Sequence, residues 1–415
     1  MVKLLHFADA HIDIASHGRH DPATGLPVRV LDFLKALDAI VDAAISEKVD
    51  LVIFAGDAYK DRMPSPTFQR EWGRRIMRLA NARIPTLLLT GNHDISPASG
   101  RAHTLQEFDT LEVPYVRVIH KPEFLKPEDL WGLRVQVLAL PWIFRSGLMA
   151  SQQAAGITSE KANEEIEKRI SEVLSEWMGA LDPDLPAILT AHGSVQGAMY
   201  GNERTVMLGK DLVLPGALVK DSRLDYVALG HIHKFQNLNP DAHPPVVYPG
   251  SIERVDFGEA ADDKYYMIAQ VEKGKTTLEP RKLKGRKFID TAVKIKAKDN
   301  LMEKAFSALP EGKNLQDAIV RLVIEYPRDM ETFLDEAALR ERCAEAFEFH
   351  LVRRPQEEAR IRLAKDESIA NLTPLELLQK YWSAVKQEPV DVEPLQTLAS
   401  SIIQKVNGVN SGENE

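Results

Sequence analysis

Short apolar runs, most of which break off onto an aspartate, a histidine or an asparagine, constrain this chain more than any other feature. The runs occupy residues 4–8, 51–55, 86–90, 135–140, 187–191 and 226–230. They are rich in Val, Ile, Leu or Phe, as buried strands are. Asp9 and His11 follow the first run, Gly56-Asp57 the second, and Gly91-Asn92-His93-Asp94 the third. His192-Gly193 follows 187–191, and His231-Ile232-His233 follows the last. Ligand sites in open α/β sheets form beyond the carboxyl ends of the strands. Five separate segments therefore bring Asp, His and Asn side chains to one rim.

Amphipathic stretches separate the runs. Val30, Leu34, Leu37, Val41 and Ala44 recur at helical spacing between the first two. Phe68, Trp72, Ile76 and Leu79 do so between the second and third, with Ser65-Pro66 as a helix start. Residues 159–181 place Ile166, Ile170, Val173, Leu174 and Trp177 on one face. Strand–helix alternation of this kind predicts an α/β domain of layered sheets flanked by helices.

With 415 residues, 44% of them hydrophobic, the chain is long enough for two or three units. The metal-bearing unit is expected at 1–285. The basic run 281–287 reads as a linker into a small α+β unit at 286–355. That unit has strands at 289–295, 318–325 and 349–352, and helices at 302–309 and 336–347. Residues 356–406 read as a connector and a helical segment with helices at 374–387 and 394–406. The tail 407–415 is expected to be disordered. A single cysteine, Cys343, excludes an internal disulfide and a cysteine-based zinc cluster, and points to a reducing compartment. No signal-peptide pattern and no membrane-spanning apolar run are present, so a cytoplasmic location without membrane contact is expected. The net charge of −9 argues against a broadly basic nucleic-acid face. Bound cations and local basic patches can reverse the field where it matters.

Carboxylate, imidazole and amide oxygen together suit divalent metals of hard to intermediate character. Two such ions about 3.5–4 Å apart clamp a phosphodiester and activate water. One carboxylate then bridges them, and Asp57, alone on its turn, is the natural candidate. Each segment by itself is commonplace. Asp-x-His and Gly-Asp after a strand are ordinary turns, Asn and Asp cap helices, and histidines two apart in a strand share a face. All five in series are not commonplace.

The series Asp9-Ala10-His11, Gly56-Asp57, Gly91-Asn92-His93-Asp94, Ala191-His192-Gly193 and Gly230-His231-Ile232-His233 resembles the calcineurin-like metallophosphoesterases. Within that superfamily it looks most like the bacterial SbcD-type DNA-repair nuclease subunits and their archaeal and eukaryotic counterparts. The opening run from His6 to Asp13 and Pro64-Ser65-Pro66 support the narrower resemblance. The motifs cover residues 4–258. The resemblance implies one metal held by Asp9, His11, Asp57 and His233, and a second held by Asp57, Asn92, His192 and His231. It makes His93 a group that faces the phosphate and helps protonate the leaving oxygen, with Asp94 orienting it. The family often has a histidine three positions after the bridging aspartate. Lys60 stands there in this chain and can meet a phosphate as a point charge.

The resemblance further implies manganese, cleavage at DNA ends and hairpins, and an SbcC-like coiled-coil ATPase partner. It implies a homodimer within a heterotetramer, for which helices at 66–81 and 98–111 are the candidate contacts, although Leu105, Phe108 and Leu111 could equally pack inside one subunit. Arg70, Arg74, Arg75 and Arg78, and the basic residues of 281–298, are candidate DNA contacts or plain solvated surface. The apolar faces of the two terminal helices must fold back on the body, which periodicity alone favours, or dock on a partner, and the resemblance implies docking on the ATPase. His6, His17, His20, His103, His120, His243 and His350 fit no motif and are treated as ordinary, although His17 and His20 sit where a substrate could approach. Two rivals stand beside the nuclease: a small-molecule phosphodiesterase or phosphatase on the same fold, and a non-catalytic scaffold.

Overall fold

The computed structural model describes residues 1–12, 19–95, 101–143, 159–200, 213–356, 372–384 and 389–410. Its contacts divide the chain into two units, Met1–Ile289 with Asp317–Ile319, and Asp290–Gln316 with Val320–Glu415.

The strands of the first unit are β1 (Val2–Phe7), β2 (Leu51–Phe54), β3 (Thr86–Leu89), β4 (Val116–Ile119), β5 (Glu123–Leu125), β6 (Gln136–Leu140) and β7 (Ala187–His192). They continue with β8 (Ser194–Val195), β9 (Val213–Leu214), β10 (Tyr226–Gly230), β11 (Gln236–Asn237), β12 (Val246–Tyr248), β13 (Tyr265–Glu272) and β14 (Lys275–Lys282). Its helices are α1 (Val28–Ser46), α2 (Pro66–Asn81), α3 (Gln106–Thr110), α4 (Ser159–Gly179) and α5 (Gly216–Val219).

Two six-stranded sheets form, in the orders β14-β13-β1-β2-β3-β4 and β11-β12-β10-β7-β6-β5. Strands β1 to β4 run parallel, as do β6, β7, β10 and β12. The period of two along each strand separates three cores. Leu5 and Phe7 turn to Leu34, Leu37 and Trp72 of α1 and α2. Leu4, Ile53 and Leu87 meet Val137, Ile188 and Ala228 between the sheets. Leu138, Leu189 and Val227 pack under Ile166, Ile170 and Leu174 of α4. The result is the expected α/β layering, with two sheets face to face and helices on both outsides.

His6 lies on the inner face of β1 and joins the two sheets. Its Nδ1 is 3.0 Å from the Tyr226 hydroxyl and its Nε2 is 3.2 Å from the Leu229 carbonyl. Burial holds its pKa down at about 3.

The two candidate basic stretches carry ion pairs within the chain. Arg70, Arg74 and Arg75 pair with Glu71 on α2. Arg75 and Arg78 reach Asp38, and Arg78 also reaches Asp42. Arg281 and Lys282 are not linker residues; they pair in register with Tyr266 and Tyr265 of β13. Arg281 meets Glu47 and Glu279, Lys282 meets Asp263, and Arg286 meets Asp32. Of the proposed dimer contacts, Leu105 and Phe108 are buried in the first core while Leu111 is 73% exposed. Residues 98–100 of that segment, like His17, lie outside the described residues.

The second unit carries a three-stranded sheet ordered β15 (Phe288–Lys294), β16 (Ile319–Pro327) and β17 (Glu348–Gln356). Its helices are α6 (Leu301–Ala308), α7 (Glu336–Arg342), α8 (Pro374–Ala384) and α9 (Pro389–Asn410). The Asn300 side chain caps α6 and that of Asp335 caps α7. Helix α7 stops at Arg342, earlier than the expected 347, because Cys343 leaves the helical conformation as its C-cap. Helix α9 starts before Pro394, which falls inside it, and runs to Asn410 through the first residues of the expected tail. Helices α8 and α9 pack together, with Trp382 buried. Tyr381, Leu395, Leu398 and Ile402 remain exposed, and Val385 lies outside the described residues. No helix among the described residues is long and apolar enough to cross a membrane.

Candidate metal centre

The loops after β1 and β2 run side by side. The Asp9 amide donates to the Gly56 carbonyl, His11 to Asp57, and Ile12 to Ala58. Asp9, His11, Asp57 and His231 all have positive φ, at 51°, 41°, 65° and 101°. L-residues avoid this region, and its use at these four positions stores local strain that the surrounding packing must hold. Close approach explains the neighbouring glycines. A Cβ on Gly91 would lie 2.1 Å from Asp57 Oδ1, and one on Gly56 would lie 2.3 Å from His192 Nδ1.

The seven ligand candidates converge. Asp57 Oδ2 lies 3.3 Å from His192 Nε2 and 3.8 Å from His11 Nε2. His11 Nε2 is 2.9 Å from His233 Nε2 and 4.0 Å from Asp9 Oδ1. Asn92 Oδ1 stands between His192 Nε2 at 3.1 Å and His231 Nδ1 at 3.0 Å. Ligand atoms of Asp9, His11 and His233 lie within 4.8 Å of one another, and so do those of Asp9, Asp57 and His192. A third such group joins His11, Asp57 and His93. Asp57 thus belongs with both sets of histidines, as a bridging carboxylate requires. Asp9 also stands in both. Its two oxygens accept from the His231 amide at 3.1 and 3.0 Å.

The donor set fits divalent cations. His192 Nδ1 is held at 2.6 Å by the Ala55 carbonyl, and His233 Nδ1 at 2.8 Å by Glu259 Oε1. Each ring therefore spends its N–H outside the site and turns an Nε2 lone pair inward. These lone pairs meet buried carboxylates and the Asn92 oxygen, so the centre gathers acceptors with few donors. Burial opposes protonation of His192, yet the adjacent Asp57 and Asp9 charges raise its pKa to about 9. A cation at this place would take over the role of that proton.

His93 sits at the edge of the centre, with its ring centroid 5.1 Å from that of His11. Its Nδ1 is 2.5 Å from the Lys60 carbonyl. Asp94 does not touch the His93 ring. Its carboxylate accepts from the amides of Asp57, Ala58 and Gly91 and from the Thr104 hydroxyl. The expected orienting role on the ring thus falls to the Lys60 carbonyl, while Asp94 clamps the loops after β2 and β3. The Lys60 side chain is exposed.

Three contributors carry no local sequence signal. Glu259, 4% exposed, holds His233 and in turn accepts from Ser251 and Lys264. Lys264, 1% exposed, also donates to the His233 carbonyl. Trp142, just past β6, lays its ring 5.1 Å from His231 and 6.2 Å from His192. Beside Trp142 a pocket of about 430 Å³ opens between Leu140, Ile143, Ile170 and Val173, with Lys121 and Arg169 also lining it.

Comparison with known proteins agrees with this geometry. The chain is 26% identical over 316 residues to the uncharacterized metallophosphoesterase YhaO of Bacillus subtilis, covering 75% of this chain and 64% of the relative. It is 26% identical over 261 residues to the DNA double-strand break repair protein Mre11 of Archaeoglobus fulgidus, covering 63% and 52%. It is 24% identical over 281 residues to the SbcD component of the SbcCD nuclease of Escherichia coli K12, covering 66% of each. The chain thus spans less than two thirds of each of these relatives. The model of the calcineurin-like phosphoesterases matches residues 2–235, more than half of the chain and every residue from Asp9 to His233. The chain belongs to the calcineurin-like phosphoesterase family.

Proposed function

We propose that this protein is a two-metal phosphodiesterase that cuts DNA at ends and hairpins, working in the cytoplasm with an SbcC-like ATPase in break repair. The position of Asp57 between His11 and His192 carries the proposal. Asp9, His11, Asp57 and His233 would hold one cation, and Asp57, Asn92, His192 and His231 the other. When bound, two divalent ions, manganese by analogy with the nucleases, polarise the phosphodiester and acidify the attacking water.

The chain's own residues do the rest. Glu259 and the Ala55 carbonyl fix the tautomers of His233 and His192. Asp57 Oδ1 accepts from the His93 amide at 2.8 Å, which ties the phosphate-facing histidine to the bridge. His93, with one ring nitrogen donating to the Lys60 carbonyl, would as imidazolium give the proton on its other nitrogen to the leaving oxygen. Lys60 offers a point charge to a flanking phosphate. The similarity to the Mre11 and SbcD nucleases supports DNA as substrate. The exposed Tyr381, Leu395, Leu398 and Ile402 support a partner-binding role for α8 and α9. A homodimer within a heterotetramer completes the proposal.

A second reading, a small-molecule phosphodiesterase, is favoured by the ion-paired arginines of α2 and by the apolar pocket beside Trp142. End-labelled duplex DNA and a small nucleotide diester, each incubated with manganese, magnesium or chelator, separate the two. Manganese-dependent shortening of the duplex supports the nuclease. Cleavage of the diester alone supports the second reading.

A further inference from the structure

We propose that His103, Asp109 and His120 form a third cation site, separate from the dinuclear centre and best matched to zinc. One ligand atom from each lies within 4.8 Å of the other two. The two imidazoles stack with centroids 5.2 Å apart and planes 26° apart. His103 Nδ1 is buried and has no hydrogen-bond partner among the described residues. A buried nitrogen left without a partner is costly, and native structures rarely tolerate one without a reason. Burial, with His120 beside it, holds His103 down at about 4, which leaves a lone pair available at neutral pH. Two imidazoles, one carboxylate and a water make a tetrahedral set that zinc accepts. A cation held by the three side chains would draw Asp109 and His120, both solvent-reaching, onto it.

The three ligands stand on fixed elements. The Thr104 amide and hydroxyl donate to Asp94 at 2.9 Å each, which pins the residue next to His103. Phe108, next to Asp109, is buried in the core to which α1 and α2 also contribute. His120 follows β4 directly, where the Thr90 amide binds the Ile119 carbonyl at 3.1 Å. The site shares no residue with the dinuclear centre, but it touches it through Thr104, whose partner Asp94 clamps the Asp57 amide. Zinc here would brace the segment that delivers Thr104.

Chelator-stripped full-length protein, loaded with zinc and desalted, tests this by elemental analysis. His120→Gln and Asp109→Asn change solvent-reaching side chains, and circular dichroism checks their folds. The wild type is expected to retain one zinc ion per chain more than either variant. Cobalt loading should likewise lose one visible absorption component in both variants. Zinc added in excess should raise the wild-type Tm beyond its effect on the variants. Equal zinc content in wild type and both variants would overturn the site, as would identical cobalt spectra.

Discussion

His233 Nδ1 donates to Glu259 Oε1 at 2.8 Å, and the other oxygen of that carboxylate takes the buried Lys264 ammonium at 2.5 Å. The pair fixes which nitrogen of His233 faces the metal centre. A histidine held in this way is a better ligand than one free to rotate or change tautomer. Glu259→Gln is therefore expected to weaken manganese affinity about 10–100-fold. Calorimetric titration of stripped protein checks it, and an unchanged Kd would remove Glu259 from the account.

His93 separates chemistry from metal binding. Its ring touches the Lys60 carbonyl and the edge of His11, and its amide binds the bridging carboxylate. His93→Gln keeps the amide. It should retain manganese and DNA affinity while losing about 100-fold or more in cleavage rate, the usual cost of a lost acid or charge stabiliser. Loss of metal in this variant would make His93 a ligand instead.

His6 predicts a pH dependence of stability. In the unfolded chain it takes a proton near 6.5, but burial delays this to about 3 in the native state. The unfolded state therefore binds the extra proton throughout that window. Stability from the neutral ring is fully present above about 6.5 and is lost as pH falls towards about 3, at about 1.4 kcal/mol per unit. Denaturant titrations of metal-stripped wild type and His6→Gln at several pH values isolate this contribution. The wild type should lose more stability on acidification; parallel curves would contradict it.

The terminal helices α8 and α9 bury Trp382 but leave Leu398 57% and Ile402 52% exposed. Under the proposed function, truncation after Ser368 should abolish co-purification with an SbcC-like ATPase while sparing manganese-dependent cleavage by the isolated chain. Unchanged binding would locate the tether elsewhere.

The convergence of the candidate ligands was legible because each segment that carries them follows an apolar run directly, and strand ends are where a layered α/β domain exposes function. Glu259 and Lys264 were not, because they reach His233 only through tertiary packing, from a short turn and a strand start 26 and 31 residues away. Trp142 was hidden for a similar reason: Leu140-Pro141-Trp142 reads as the end of an apolar run. Strand β14 reads partly as linker because its sequence, KTTLEPRK, belongs to an exposed edge strand rich in charge. The roles of Arg75 and Arg78 turned on Asp38 and Asp42, acids on a different helix that no local pattern assigns to them. The orientation of Asp94 turned on backbone amides, which a reading of side-chain types does not see.

Manganese stoichiometry of wild type and Asp57→Asn tests the bridging claim most directly. The substitution keeps an oxygen to accept from the His93 amide but removes the charge shared by the two ligand sets. Stripped wild-type protein equilibrated with manganese should hold about two ions per chain. The variant, with circular dichroism unchanged, should lose most of that metal and nearly all hydrolysis. Full metal content with full activity in Asp57→Asn would contradict the account.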